Sequence, residues 1–317
     1  MTPRNALSRS AFLGALALGA LAPARVAAQS PAPLRATSAI DDAATPFLYA
    51  MESGLFRKEG FDASLERATN GAAAAAAVIG GSFEFGKSSV ISLLSAHTRG
   101  VPLVVVAAAG DYDISNPAAV LAVRADGPLR TGADFNGKVV AVSAINDLFA
   151  LAIRCWVDAH GGDSSTLKLI ELPMSATAGA IANGRIDAAI LVQPFIRPAL
   201  DSGSIRILGD PASALGPHHT DSAWFTSVAF AQKNPDIVRR FARTIRDAAV
   251  YVNGHHAETA PLLAKFAMVQ VSDVMKVRVL QGTRLDPANL QVLIDAAARY
   301  KVIPDRFDAR DLIYSGA

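Results

Sequence analysis

The sequence contains a single cysteine, Cys155, among its 317 residues. One cysteine cannot build an internal disulfide framework. Cys155 lies in the helical stretch LFALAIRCWVDAHG, where we expect a buried structural thiol. It is also far from the N-terminal leader, so we expect no lipid anchor on a cysteine. The hydrophobic core must therefore stabilise this fold without covalent crosslinks.

A long apolar run and an excess of charge of one sign are lacking as well. The N-terminal apolar run Ala11–Ala22 has 12 residues, which is too short to span a bilayer. It follows Arg4 and Arg9 and precedes small residues that end at Ala28, and this pattern predicts a secretory signal peptide over residues 1–28. The residues around Arg9 resemble a twin-arginine export motif with one arginine replaced, so both export routes stay open. Without the three arginines of the leader, 27 basic residues face 28 acidic ones, which disfavours nucleic acid or a membrane surface as a partner.

Motifs of catalysis and metal binding are absent from the sequence. The six histidines show no H-E-x-x-H spacing, and no G-x-S-x-G, Walker or G-x-G-x-x-G string occurs. We therefore predict a protein that is not an enzyme and that needs no cofactor and no metal.

The sequence does contain regularly alternating strand and helix signals, which continue from Leu34 to about Asp210. This alternation predicts parallel sheets covered by helices. Val101–Ala109 is an almost unbroken apolar run, typical of a strand that is buried on both faces. After Lys233-Asn234-Pro235 the pattern becomes helical to the end of the chain. About 290 residues beyond the leader are enough for two lobes.

We expect the chain to cross between these lobes near residues 118–124 and again near residues 224–230. The predicted lobe 1 comprises residues 34–117 and 231–317, and it includes the C-terminal helices. The predicted lobe 2 comprises residues 118–230.

Several segments resemble one family when they are taken together and in order. They include PFLYAMESGLFRKEGFDASLE, NGAAAAAAVIGGSFEFGKSS, TGADFNGKVVAVS, LPMSATAGAIANGRIDAAILVQPF and LDPANLQVLIDAAARYKVIPDRFDARDLI. The chain resembles the periplasmic substrate-binding proteins of ABC importers, in the branch that contains sulfonate, taurine, nitrate and thiamine-precursor binders. The matching segments cover nearly all of the chain beyond the leader.

The resemblance implies an α/β, two-lobed periplasmic-binding-protein fold of the second type, with doubly wound sheets, a hinge and a C-terminal helical segment. It implies a small-molecule ligand in the cleft between the lobes, with lobe closure at the hinge. It also implies a periplasmic location, an inner-membrane ABC permease as partner, and a monomer. A sensing role beside a membrane receptor stays open, because both roles need the same two-lobed fold.

Loops beyond the carboxyl ends of the strands are the expected ligand site, because ligands of open α/β sheets bind there. Most of these loops carry a hydroxyl or amide group at a helix start, where a side chain can cap the helix, contact ligand, or do both. The candidate ligand-binding residues are Asp41, Asp42, Thr45, Asn70, Lys87, Ser88, Ser89, Tyr112, Ser143, Asn146, Asp147, Ser175, Gln193 and Trp224.

The charge of the ligand stays open at the level of sequence. If Lys87 reaches the ligand, a sulfonate or carboxylate is expected, whereas Asp41 and Asp42 would suit an amine or amidine. Tyr112 and Trp224 favour an organic ligand over a bare ion such as nitrate. The alternatives are a nitrogenous ligand such as a thiamine pyrimidine precursor, and an enzyme similar to the pyrimidine synthases of thiamine biosynthesis, whose cysteine-rich motif is missing here.

Overall fold

The computed structural model describes residues 31–117, 119–192, 195–274 and 278–316. The predicted signal peptide lies outside the described residues, and so does Gln193. Among the described helices, none is long and apolar enough to cross a membrane.

Strands and helices alternate along the chain up to residue 209. The strands are β1 (Ala32–Ser38), β2 (Phe61–Arg67), β3 (Phe85–Ser89), β4 (Leu103–Asp113), β5 (Ala119–Arg124), β6 (Val139–Val142), β7 (Lys168–Glu171), β8 (Ala188–Val192), β9 (Ile205–Gly209), β10 (His218–Ser227) and β11 (Leu280–Gln281). The helices are α1 (Thr45–Glu52), α2 (Leu55–Lys58), α3 (Gly71–Ile79), α4 (Val90–Thr98), α5 (Leu148–Ala159), α6 (Met174–Ala182), α7 (Ile196–Asp201), α8 (Val228–Lys233), α9 (Pro235–Gly254), α10 (His256–Ala267), α11 (Val271–Val274) and α12 (Pro287–Arg299).

Local sequence signals account for where several of these helices begin. Asn70 has extended backbone and accepts from the backbone N–H of Ala73 at 3.0 Å, which caps α3. Pro235 lies in the first turn of α9, where its missing N–H costs no hydrogen bond. The apolar residues of α9 then recur at helical spacing and are buried: Val238, Phe241, Ile245, Ala248, Ala249 and Val252.

The strands form two sheets, which confirms the predicted two-lobed α/β class. The first sheet has the order β11-β4-β10-β3-β1-β2, and the second has the order β7-β6-β8-β5-β9. β1 pairs in parallel with β2 and β3, and β6 pairs in parallel with β7 and β8. In each sheet a strand also runs antiparallel to its neighbours, β10 in the first and β5 in the second. The sheets are therefore mixed rather than purely parallel.

β10 begins earlier than the apolar pattern of the sequence suggested. It pairs with β4 from His218 onward and with β3 from Ser222 onward, so the chain has joined the first sheet by His218, before the predicted crossing near residues 224–230. Its polar first half pairs with the polar end of β4, Gly110–Asp113, which extends β4 beyond the predicted apolar run. These antiparallel partners are about 110 residues apart in the chain, so no local pattern marks the pairing. The lobe boundaries themselves stay a prediction.

A continuous buried cluster includes residues from strands of both sheets. It includes Val90 of α4, Leu121 of β5 and Leu148 of α5, together with Leu290 and Leu293 of α12. A separate cluster packs α1 and α9 against the first sheet, with Phe47, Trp224 and Phe241 fully buried in it. The helix α12 thus contributes to a core that contacts both halves of the molecule.

Candidate functional site

A cavity of about 610 Å³ lies between the two sheets. The first sheet contributes the loops after β1 and β2, the end of β3 and part of β10, whereas the second contributes the loops after β6 and β7. Of the predicted residues, eight line this cavity: Asp41, Asn70, Lys87, Ser88, Ser89, Ser143, Asp147 and Ser175. Contact between these residues and a ligand stays a prediction.

Lys87 does not point a free charge into the cavity. Its Nζ donates to both carboxylate oxygens of Asp41, at 2.7 and 2.8 Å. The lysine side chain is 2% exposed and the aspartate 28%. Two candidate residues of opposite charge therefore neutralise each other. They are 46 residues apart in the chain, so the sequence does not reveal this pairing.

The start of α3 forms a second polar part of the wall, where Gly71 packs directly against Ser88. A Cβ atom at Gly71 would collide with the Ser88 Oγ and lie 2.9 Å from the Ser88 Cβ. The Ser88 hydroxyl is buried and has no hydrogen-bond partner among the described residues. Asn70 already caps α3, so the remaining N–H groups of its first turn and the Ser88 hydroxyl can serve a hydrogen-bond acceptor in the cavity.

Ser89 caps the next helix and lies beside a contact between the two lobes. Its Oγ accepts from the backbone N–H of Ser92 at 3.2 Å. The hydroxyl of Ser92 donates to the backbone carbonyl of Asn146 at 3.2 Å. The predicted residue Asn146 thus contributes its backbone, while its exposed side chain does not line the cavity.

Asp147 caps α5 on the opposite wall. One carboxylate oxygen accepts from the backbone N–H of Ala150 at 3.0 Å, and the other accepts from the N–H of Ala144 at 3.1 Å and from the hydroxyl of Ser143. Burial raises the pKa of Asp147 to about 6, although these hydrogen bonds act in the opposite direction. Most of the hydrogen-bonding capacity of this carboxylate is used within its own loop.

Asp42 and Thr45 face the protein interior instead of the cavity. The guanidinium of Arg278 donates to the two Asp42 oxygens at 2.7 and 2.8 Å, and these side chains are 1% and 0% exposed. Thr45 donates to Asp42 at 2.7 Å. Asp42 also accepts from the backbone N–H of Val279 at 2.8 Å. The expectation that Asp42 and Thr45 face ligand is corrected by this geometry, because they attach the C-terminal segment to the loop after β1.

The two aromatic candidates also lie away from the cavity wall. Trp224 is fully buried and stacks on Phe47 with a centroid distance of 5.1 Å, and it meets Phe241 edge to face. Tyr112 donates its hydroxyl to Asp210 at 2.6 Å, and burial raises its pKa above the ordinary value. The neighbours of Trp224 come from the distant helices α1 and α9, so this packing could not be inferred locally.

Other lining residues were not among the candidates. The apolar ones include Phe149, Phe195, Met174 and the 74%-exposed Met268, and the polar ones include Arg67, Glu171, Asp221 and Ser222. Phe149 follows the cap of α5, so the rule that loops after strand ends carry the site also places it near the cleft. Asp221 and Ser222 carried no such signal, since they lie inside a strand.

In the part of the chain that the structure describes, no group of three or more His, Cys, Asp or Glu side chains could hold a metal ion. The cavity can instead offer hydroxyl groups, backbone N–H groups, carboxylates and aromatic surface, which is a composition typical of a small-molecule site.

Comparison with known proteins gives one family match. The family model described as "NMT1/THI5 like" matches residues 42–259. A curated relative, a putative aliphatic sulfonates-binding protein of Escherichia coli K12, is 25% identical over 185 residues, 58% of this chain and 56% of that protein. The alignment therefore spans just over half the length of that relative.

Two further proteins, an enzyme and a binding protein, are also similar to this chain. The 4-amino-5-hydroxymethyl-2-methylpyrimidine phosphate synthase THI5 of Saccharomyces cerevisiae is 24% identical over 220 residues, 65% of this chain and 62% of that protein. The solved structure of the alkanesulfonate-binding protein SsuA from Xanthomonas axonopodis pv. citri, bound to MOPS, superposes with a TM-score of 0.76 at 20% identity. That superposition covers 90% of this chain and 99% of the other, so the two proteins share a fold.

Proposed function

Because this chain belongs to the NMT1/THI5-like family, we propose that it is the substrate-binding component of an ABC-type importer. In this role it captures a small organic molecule in the cavity between its lobes. The bound form then docks on an inner-membrane permease. The predicted signal peptide supports a periplasmic location, and we propose that the protein acts as a monomer.

The observation that carries the proposal is a cavity whose two walls come from different sheets. Asp41, Lys87 and Ser88 belong to one wall, whereas Asp147 and Ser175 belong to the other. The described strands pass between the sheets in two places, from β4 to β5 and from β9 to β10. Two connections of this kind can act as a hinge, so that closure of the lobes encloses a ligand.

The wall around α3 favours a ligand with a hydrogen-bond acceptor such as a sulfonate or carboxylate. The first turn of α3 and the unpartnered Ser88 hydroxyl provide donors, and the nearby Arg67 side chain is exposed at the cavity. Since Lys87 is held by Asp41, we propose that these groups, rather than the lysine, bind the acceptor.

An enzymatic function similar to that of the yeast synthase is the competing hypothesis, because that protein matches a similar share of the chain. The two hypotheses differ in what happens to the bound molecule. A binding protein releases its ligand chemically unchanged, whereas an enzyme releases a product.

Native mass spectrometry of gently purified protein, followed by denaturation and identification of the released molecule, tests the proposal. We expect a stoichiometric small organic molecule, and we expect the same molecule to rebind in isothermal titration calorimetry. A Gly71→Leu variant should lose this binding, because its Cβ overlaps Ser88 and the added side chain displaces the cavity wall around the start of α3. Recovery of a chemically altered molecule after rebinding would contradict the binding function and favour the enzyme.

A further inference from the structure

Asp221 lies at an irregularity of β10, and this irregularity determines where its carboxylate points. In the ladder between β10 and β4, Thr220 pairs with Asp111 and Ser222 pairs with Gly110, while Asp221 between them has no partner. Both neighbours are tied to β4: Thr220 donates to the Asp111 carboxylate at 2.8 Å, and Ser222 accepts from the Gly110 N–H at 3.1 Å. Such a bulge redirects one side chain out of the strand's regular alternation. Here it places Asp221 at the cavity.

The Asp221 carboxylate has an unmet hydrogen-bonding capacity. Its Oδ1 is shielded from solvent and lies 2.9 Å from the Nε2 atom of the buried His219 side chain. The Asp221 side chain as a whole is 26% exposed, so Oδ2 is the carboxylate oxygen that a ligand in the cavity can reach. A partly buried carboxylate oxygen without a donor is costly unless something satisfies it.

Asp221 differs in this respect from the other carboxylates that line the cavity. Asp41 accepts from Lys87, Asp147 accepts from its own helix start, and Glu171 accepts from the backbone N–H of Ile145 at 2.8 Å. Each of those acidic side chains has a structural role that explains it. Among the described residues, the Asp221 carboxylate meets the His219 ring through Oδ1, which leaves Oδ2 for the ligand.

We propose that Asp221 is the specificity-determining residue that binds a cationic nitrogen of the ligand. The inference rests on the proposed function and names the ligand class. The ligand is a small organic zwitterion whose protonated amine meets Asp221 and whose anionic group meets Ser88 and the start of α3. The buried, unpartnered Ser88 hydroxyl is the independent observation that marks the second end of this ligand.

The register of the first sheet sets the distance between the two ends. Ala223 pairs with Ser88 across β10 and β3, so Asp221 lies two residues along from that pair. Diagonal neighbours of this kind are about 7–8 Å apart between Cα atoms. A ligand with a few bonds between its amine and its anionic group can therefore reach both Asp221 and Ser88.

Matched ligand pairs that differ only in the amine test this inference in calorimetric titrations. The pairs are homotaurine and propanesulfonate, γ-aminobutyrate and butyrate, and para-(aminomethyl)benzoate and para-methylbenzoate. We expect the amine-bearing member of at least one pair to bind roughly ten- to a hundredfold more tightly than its partner, as a charge-assisted hydrogen bond provides. Asp221→Asn should remove this preference, with the affinity for the amine falling to that of its amine-free partner, and the amine-free partner should still bind.

Asp113→Asn is the control for this substitution. Asp113 lies at the end of β4, the strand that pairs with β10. Its side chain is 25% exposed, and it does not line the cavity. The control should retain the preference for the amine. Continued binding of the amine-free partner by Asp221→Asn shows that the site is still folded, which a purely structural role for Asp221 would not allow.

These experiments distinguish a failure of the role of Asp221 from a failure of the proposed binding function. Equal or weaker binding of every amine in the wild-type protein, or an amine preference that survives Asp221→Asn, overturns the role of Asp221. A molecule co-purified in native mass spectra that contains no basic nitrogen overturns it as well. Absence of any bound compound, together with absence of a co-purified molecule, contradicts the proposed binding function itself.

Discussion

Lys87 and Asp41 form a doubly hydrogen-bonded ion pair in the wall of the cavity, with the lysine almost fully buried. Removing the carboxylate with Asp41→Ala leaves a buried ammonium without a partner. We expect the free energy of unfolding to fall by about 3 kcal/mol, toward the lower end for a broken buried pair because Asp41 is partly exposed. Urea denaturation measures this change.

Lys87→Met is the companion to that variant. It removes the buried charge and leaves Asp41 in contact with solvent, so we expect a loss of only about 1 kcal/mol. The double variant should then be more stable than Asp41→Ala alone, which a double-mutant cycle resolves. If Lys87→Met instead retains full stability and loses at least about tenfold in affinity for an anionic ligand, Lys87 is a ligand anchor rather than the partner of Asp41.

The buried pair between Asp42 and Arg278 should contribute more to stability than any exposed pair. Asp42→Ala should destabilise the protein by about 3–5 kcal/mol, since the guanidinium stays buried without a counter-charge. Asp126→Ala removes the partner of Arg124 in a pair whose side chains are 82% and 48% exposed, and it should cost at most about 1 kcal/mol. Similar urea midpoints for the two variants would show that the C-terminal segment does not depend on Asp42.

Gly71 should be intolerant of any side chain, because a Cβ atom there would overlap Ser88. We expect Gly71→Ala to lower the melting temperature and to weaken ligand binding. Gly179→Ala is the matched control, since Gly179 also lies in a helix, α6, and has nothing within 4 Å of its potential Cβ position. The control should raise stability by up to about 1 kcal/mol through helix propensity. Equal effects of the two alanines would rule out close packing at Gly71.

Asp147 should make the protein less stable as pH rises through the acid range. Its pKa in the folded protein is about 6, above the ordinary value of 3.8, so the folded state holds its proton after the unfolded chain has released it. The stability from this group is fully present below about pH 4 and is lost by about pH 6, an effect of about 3 kcal/mol. Asp147→Asn keeps a cap for α5 but cannot titrate.

Urea denaturation between pH 4 and pH 7 tests this expectation. The wild-type protein should lose more stability across that interval than Asp147→Asn does. Burial also raises the pKa of Asp111 to about 6, so the variant should keep part of the slope. Parallel curves for the two proteins would mean that Asp147 titrates at its ordinary pKa.

Features with local signals were predictable from the sequence. Alternating strand and helix patterns predicted the α/β class, and the ordered segments that resemble substrate-binding proteins predicted the family to which the chain belongs. The rule that strand ends carry the site selected the loops at Asn70, Ser89 and Asp147, which the structure places at the cavity. A cap needs only its own helix start, so a few residues of sequence are enough to recognise it.

Partners that are distant in sequence were decided by the tertiary structure alone. Asp41 meets Lys87 and Asp42 meets Arg278 across 46 and 236 residues of chain, so adjacent aspartates in one loop have different roles. Trp224 became a core residue because α1 and α9 supply Phe47 and Phe241 around it. Asp221 reaches the cavity only because the pairing of β10 with β4 skips it. Sequence patterns determined which elements form, whereas packing between elements determined which side chains remain available to a ligand.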